Sequence, residues 1–140
     1  MALWKRTALI CLIVLLLAGC RKTADLGETS WSLVSYGPVD APLTPVGSPW
    51  ISFDNNGRMG GSTGCNAFYG HYEADDGRIT LPDNELAFTA MYCDPASPEG
   101  MQETFFRKWL GDIAYSQTED SLWLYFDEGR QIAQYKPEDE

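Results

Sequence analysis

The chain has 140 residues, the size of one domain with a single core, and 20 acidic residues against 10 basic ones, for a formal charge of −10. So acidic a chain excludes nucleic acid as a partner, because phosphate binding needs a basic face. One histidine and four cysteines leave few groups for catalysis or for a metal.

The first segment, MALWKRTALICLIVLLLAGC, has basic residues at Lys5 and Arg6 and then an uncharged, mostly apolar run from Thr7 to Gly19. The run is shorter than the ~20 apolar residues of a membrane span and has the build of a secretory signal peptide. Its end, Leu17-Ala18-Gly19-Cys20, resembles the bacterial lipobox, in which cleavage falls before the cysteine and the cysteine is lipidated. Residues 1–19 are therefore expected to be a leader, residues 20–28 a lipidated Cys20 with a tether, and residues 29–136 the folded domain. A multiply acylated cysteine anchors stably, where a single chain would not. Arg21 after the cysteine resembles the pattern sorted, in a diderm, to the outer membrane facing the periplasm.

Cys11 leaves with the leader and Cys20 takes the lipid, so Cys65 and Cys93 remain in an oxidising compartment, where their simplest fate is to pair. Such a bridge closes a loop of about 29 residues and contributes roughly 3.5 kcal/mol in the chain-entropy account.

Along the domain, TSWSLVSY (29–36) alternates, with Trp31 and Leu33 on one face of a strand. Residues 37–49 hold four prolines and read as a long loop or edge segment. WISF is a strand, Asn-Asn-Gly a turn and the following residues a return strand. A second hairpin follows, from Phe68 to Glu73, through Asp76-Gly77, to Arg78–Leu81. ELAFTAMYC (85–93) is another apolar stretch. Met101, Phe105, Trp109 and Ile113 recur every fourth residue, which predicts one helix over about 97–111 with Ser97 as N-cap and Pro98 first. IAYSQ, LWLYF and QIAQY are the last strands. Many strands, short turns and one helix predict a mostly β domain: a small antiparallel, barrel-like sheet with one packed helix.

The densest stretch is GGSTGCNAFYGHY, Gly60 to Tyr72. It admits three readings: a Cys-His nucleophile, a metal site, or a staple within strand architecture. In an extended strand Cys65 and His71 stand ~20 Å apart, and Cys93 stands ready to oxidise the thiol. A metal lacks ligands at the usual short spacings. The staple reading needs neither, with Gly60, Gly61 and Gly64 serving bends or a bulge, Gly70 a kink or close approach, and Asn66 bonding local backbone. No catalytic residue, metal or cofactor is expected. Glu103, spaced by two from Met101 and Phe105, is expected off the apolar stripe and solvated.

GCNAFYGHY resembles the G-C-N-x-[FY]-x-G-x-Y signature of the META domain family, which includes the HslJ-type heat-shock protein. Trp31-x-Leu33, Ile51-x-Phe53, the T-x-M-x-C segment of Thr89, Met91 and Cys93, and the helix residues Met101, Glu103 and Phe106 also resemble that family over roughly residues 29–135. The corresponding motif positions are Gly64, Asn66, Phe68, Gly70, Tyr72, Thr89, Met91, Met101 and Glu103. The resemblance implies a barrel-like β domain, an envelope location and links to stress, antibiotic tolerance or virulence, and it implies no agreed enzymatic activity. The expected function is a non-enzymatic envelope lipoprotein, held to its membrane by the lipid, that contacts envelope proteins or cell-wall components through exposed aromatics such as Tyr69 or Tyr72. The alternative is a barrel that carries a small apolar ligand in a cavity lined by its Trp, Tyr and Phe side chains.

Overall fold

A computed structural model of the protein describes residues 25–82, 86–109 and 112–139. The leader, Cys20 and Leu110 lie outside the described residues. The described residues form ten strands, one α-helix and a 3-10 turn at Asp127–Gly129: β1 (Thr29–Pro38), β2 (Trp50–Phe53), β3 (Arg58–Ser62), β4 (Ala67–His71), β5 (Glu73–Asp75), β6 (Arg78–Thr80), β7 (Ala87–Phe88), α1 (Pro98–Arg107), β8 (Ile113–Gln117), β9 (Leu122–Phe126) and β10 (Gln131–Pro137). All pairings are antiparallel, in the order β5-β6-β8-β9-β10-β1-β2-β3-β4-β7.

That order explains the curl. β4 stands near one end and β5 at the other, yet Tyr72 alone separates them in the chain. The two ends of the sheet must therefore come together at Tyr72, which gives a curled half-barrel. Tyr72 is fastened at this crossing. Its N–H donates to the Gly57 carbonyl at 2.8 Å and its hydroxyl to the Asp54 carbonyl at 2.9 Å. The expected single strand Phe68–Glu73 is thus two strands broken by a buried Tyr72.

The concave face carries Trp31 and Leu33 from β1, Ile51 and Phe53 from β2, Met59, Phe68, and Leu122 and Leu124 from β9. The alternation read in β1 holds until a bulge between Leu33 and Ser35. Val34 is exposed, as the alternation requires, and the bulge then shifts the phase so that Tyr36, an even position, points inward. Without it Tyr36 would lie outside.

Helix α1 starts as the sequence dictates. The Ser97 hydroxyl accepts the Gly100 N–H at 3.1 Å and Pro98 follows it. The helix ends at Arg107, short of the expected residue 111, and Ile113 belongs to β8. The expected stripe is also rotated: Met101 is 48% exposed, and the buried helix residues are Gly100, Gln102, Glu103 and Phe106. An every-fourth-residue row drifts around a helix of 3.6 residues per turn, and here the inward face includes polar side chains that meet loops. Phe105 and Phe106 pack on Tyr36 with ring centroids 5.2 and 6.1 Å apart, and Trp109 stands edge-on to Phe126 at 5.8 Å. The helix therefore closes the open side of the curled sheet.

Candidate functional site

Four polar side chains are buried together: Thr63, Asn66, Gln102 and Glu103. Each comes from an element meeting at one end of the half-barrel, namely the β3–β4 loop and the first two turns of α1. Burying such groups is costly unless every one is paired, and here they pair with one another and with two further loops.

Asn66 is the centre. Its side-chain nitrogen donates to Glu103 Oε1 at 3.1 Å and to the Met91 carbonyl at 3.1 Å, and it lies 3.3 Å from Cys93 Sγ. Its side-chain oxygen accepts the Met91 N–H at 2.8 Å and the Thr89 hydroxyl at 2.8 Å. Thr89 Oγ1 in turn accepts the Ala67 N–H at 3.0 Å. The expectation that Asn66 bonds local backbone is corrected: its amide acts as a substitute backbone unit for residues 89–91. That segment needs it, because β7 ends at Phe88. The apolar stretch 85–93 is accordingly not a long strand, and Met91 and Tyr92 are 67% and 84% exposed.

Glu103 is also corrected. It is 5% exposed rather than solvated. Oε1 accepts from Asn66 and from Arg107 Nε, the latter at 2.6 Å, while Oε2 accepts the Thr63 hydroxyl. Arg107 lies with its guanidinium 4.5 Å from the Phe88 ring centroid and donates to the Thr89 carbonyl at 3.3 Å. A helix residue spaced off the apolar stripe thus faces a polar seam, not water.

Gln102 does the same for the proline-rich loop. It accepts the Val46 N–H at 3.1 Å and donates to the Val46 carbonyl at 3.0 Å and to the Thr63 carbonyl. Gly64 sits beneath it with φ of +95°. A Cβ there would fall 2.6 Å from Gln102 Nε2 and 2.6 Å from the Val46 oxygen. Gly60 and Gly61, by contrast, serve no bend. Both lie in β3, where a bare Gly61 lets the Phe68 ring lie over the strand, 2.7 Å from where a Cβ would be.

The Cys65–Cys93 disulfide stitches the same two loops, with Cα atoms 6.3 Å apart, within the usual range. Of the remaining motif positions, Phe68 enters the core and stacks tilted on Phe88 at 5.9 Å, Gly70 pairs with Met59 in the β3–β4 ladder, Tyr72 pins the crossing and Met101 is exposed. Tyr69 is exposed and Tyr72 is buried, so of the two aromatics singled out only Tyr69 offers a free face. His71 is an exposed residue of β4 opposite Arg58.

Sequence reasoning missed Thr63 and Gln102. Gln102 had a signal, since two adjacent polar residues, Gln102 and Glu103, occupy the helix just where its N-terminal half has to face loops; Thr63 had none. Among the described residues no group of three or more His, Cys, Asp or Glu is placed to hold a metal, and no helix is long and apolar enough to cross a membrane. Two clefts of about 380 and 420 Å³ adjoin the C-terminal end of α1 and share Lys108, Phe126 and Asp127 in their walls.

The META domain family model matches residues 24–139. No curated protein matches the chain. Among solved structures, the chain is similar to an NMR structure of a protein from Burkholderia xenovorans, at 20% identity and TM-score 0.65, covering 82% of this chain and 85% of that one. It is also similar to a second protein solved by NMR, at 25% identity and TM-score 0.60, over 79% of this chain and 90% of the other. A crystal structure of a DUF4847 family protein from Bacteroides vulgatus is similar at 13% identity and TM-score 0.54, over 79% and 93%. These likenesses concern the fold.

Proposed function

This chain belongs to the META domain family, and from that premise we propose that it is a lipid-anchored envelope protein that works by binding and not by catalysis. The observation that carries this reading is the pairing of Glu103. A catalytic carboxylate needs a lone pair directed at substrate in a cleft. Both oxygens of Glu103 are occupied, by Asn66, Arg107 and Thr63, and the amide of Asn66 holds residues 89–91. The signature segment thereby builds a structural knot, and the cysteines beside it are a disulfide.

The anchor rests on Leu17-Ala18-Gly19-Cys20 at the end of the apolar run. In a diderm, Arg21 favours the outer membrane facing the periplasm. The role we propose for it lies in envelope stress, antibiotic tolerance or virulence, a reading the family resemblance supports. Metabolic labelling with a fatty-acid probe tests the anchor: the full chain should label and pellet with membranes, and Cys20→Ala should do neither. Labelling and pelleting that survive Cys20→Ala refute it. For the mode of action, His71→Ala in a chain that still folds and localises should leave the envelope phenotype intact, and its loss would restore a catalytic or metal reading.

A second reading, a carrier of small apolar molecules, is favoured by the cleft of about 420 Å³ that Phe105 and Phe126 help to line, a size typical of ligand sites. Exposed Lys108 and Asp127 also line it. The aromatic side chains that would line an interior cavity instead pack on one another, as in the Tyr36–Phe105, Phe105–Phe126 and Trp109–Phe126 contacts. Saturable binding of an apolar fluorescent probe, abolished by Phe126→Asp, would establish the carrier.

A further inference from the structure

The two ends of the half-barrel differ in chemistry, and strand direction assigns residues to each. β1 runs from Thr29 to Pro38, where it meets Gln131; Thr29 meets Phe53 and Trp31 meets Pro137. The end holding Thr29 is where the tether enters. Leu26 is buried there, at 1% exposure, the Asn55 N–H donates to Glu28 at 3.3 Å, and Gln117 reaches the Asp25 carbonyl at 3.5 Å. Its turns and termini carry the carboxylates of Asp25, Glu28, Asp54, Glu119, Asp120 and Glu138, against the exposed cations Arg58 and Lys136.

At the opposite end lie the knot, the disulfide and the proline-rich loop. Eight large hydrophobic residues are exposed among the described residues. Six of them, Val39, Leu43, Trp50, Met91, Tyr92 and Met101, belong to the loops, strand start and helix start of that opposite end. The other two, Val34 and Tyr69, lie midway along β1 and β4. The loops that present the six are held by the knot: Asn66 fixes residue 91 and Gln102 fixes residue 46. The apolar end is therefore preorganised, which lowers the cost of binding.

We infer that this end is a docking surface for another protein, one that presents an apolar patch rimmed by basic side chains. The inference rests on the anchored reading above. From Cys20 to Leu26 the chain reaches at most about 20 Å, so the carboxylate end faces the membrane, while β1, of 10 residues and thus ~33 Å long, carries the apolar end away from it. The anchoring membrane is then not what covers this end. Nor is a second copy: copies anchored in one membrane stand parallel, and joining two such tips needs one of them inverted. Trp, Tyr and Met are the residues enriched in protein–protein interfaces, and Met suits an adaptable contact. Exposed Asp40, Asp94, Glu99, Asp127 and Glu128 border these loops and outnumber the exposed Arg107, Lys108 and Arg130, a net negative rim complementary to Lys and Arg on the partner.

The test is photo-crosslinking in intact cells from the full chain, with a benzophenone residue replacing Tyr92, Met101 or, as the tether-end control, Asn55. Adducts from Tyr92 and Met101 should exceed those from Asn55 by about tenfold or more, the scale of a hot-spot contact. The crosslinked peptide should map to one apolar surface of another protein, flanked by Lys or Arg. Met91→Asp, whose side chain is exposed, should melt like the parent and lose the adduct. Equal yields from Asn55, adducts mainly to a second copy, glycan or lipid, or an adduct indifferent to Met91→Asp each overturn the inference. Membrane pelleting of the same cells separates the two claims: a soluble chain that still crosslinks from Tyr92 refutes the anchor alone, and an anchored chain without Tyr92 adducts refutes the docking surface alone.

Discussion

Asn66 and Glu103, 37 positions apart, meet with the side-chain nitrogen 3.1 Å from Oε1, and this contact joins the disulfide loop to the helix. It is one bond in a closed set. Removing one partner of such a set leaves the others buried and unpaired, which costs more than the bond itself contributes.

Glu103→Ala is therefore expected to destabilise the domain by about 3 kcal/mol, since it strips acceptors from Asn66, Thr63 and Arg107 together. Glu103→Gln keeps the shape but loses the charge-assisted bonds, for about 1–2 kcal/mol. Urea denaturation of the three proteins checks the order. A Glu103→Ala protein as stable as the parent contradicts the knot.

Gly64 tests the loop packing. Its φ of +95° disfavours any Cβ, and the added methyl would meet the Val46 oxygen and Gln102 Nε2, both at 2.6 Å. Gly64→Ala should cost about 2–3 kcal/mol, combining backbone strain with a steric shift. Gly129 also has positive φ, +84°, but no atom lies within 4 Å of a Cβ there. Gly129→Ala should thus cost less, about 1 kcal/mol from strain alone. Equal losses at the two sites would show that packing at Gly64 contributes nothing.

Much of this architecture is legible in the chain, for identifiable reasons. Strands such as LWLYF alternate, the helix start is written as Ser97-Pro98, and cysteine arithmetic finds the bridge. What escapes are features set by tertiary partners. The bulge after Leu33 leaves no local mark, yet it decides that Tyr36 faces inward. Glu103 reads as solvated because spacing reports the apolar stripe, whereas its burial depends on Thr63 and Asn66 from a distant loop. Tyr72 reads as a strand residue, and only the sheet order reveals that two sheet ends meet there.

The disulfide closes a 28-residue separation, so Cys65→Ser with Cys93→Ser should lower stability by about 2–4 kcal/mol. Alkylation without reductant, read by mass spectrometry, should find neither Cys65 nor Cys93 as a free thiol. Because Asn66 holds residues 89–91 through its own hydrogen bonds, the reduced domain should still fold. Loss of the β signature in circular dichroism on reduction would mean that the knot cannot hold the loops alone.

Tyr135 makes the stability depend on alkaline pH. Burial raises its phenol well above the ordinary value near 10, and burial also raises Tyr36, Tyr72 and Tyr115. Asp25 and Asp54 push Tyr72 further in the same direction. The unfolded phenols ionise near pH 10. Above that pH the native state therefore holds protons that the unfolded state has lost, and stability falls as pH rises. Below about pH 10 both states are protonated and the contribution is fully present. The urea midpoint, corrected for other groups by comparison with a Tyr135→Phe protein, should be level through about pH 9 and decline beyond about pH 10. Tyr135→Phe keeps the buried ring and removes the ionising group, so its decline should be shallower. Identical slopes for the two proteins above pH 10 would show that Tyr135 does not carry the alkaline loss.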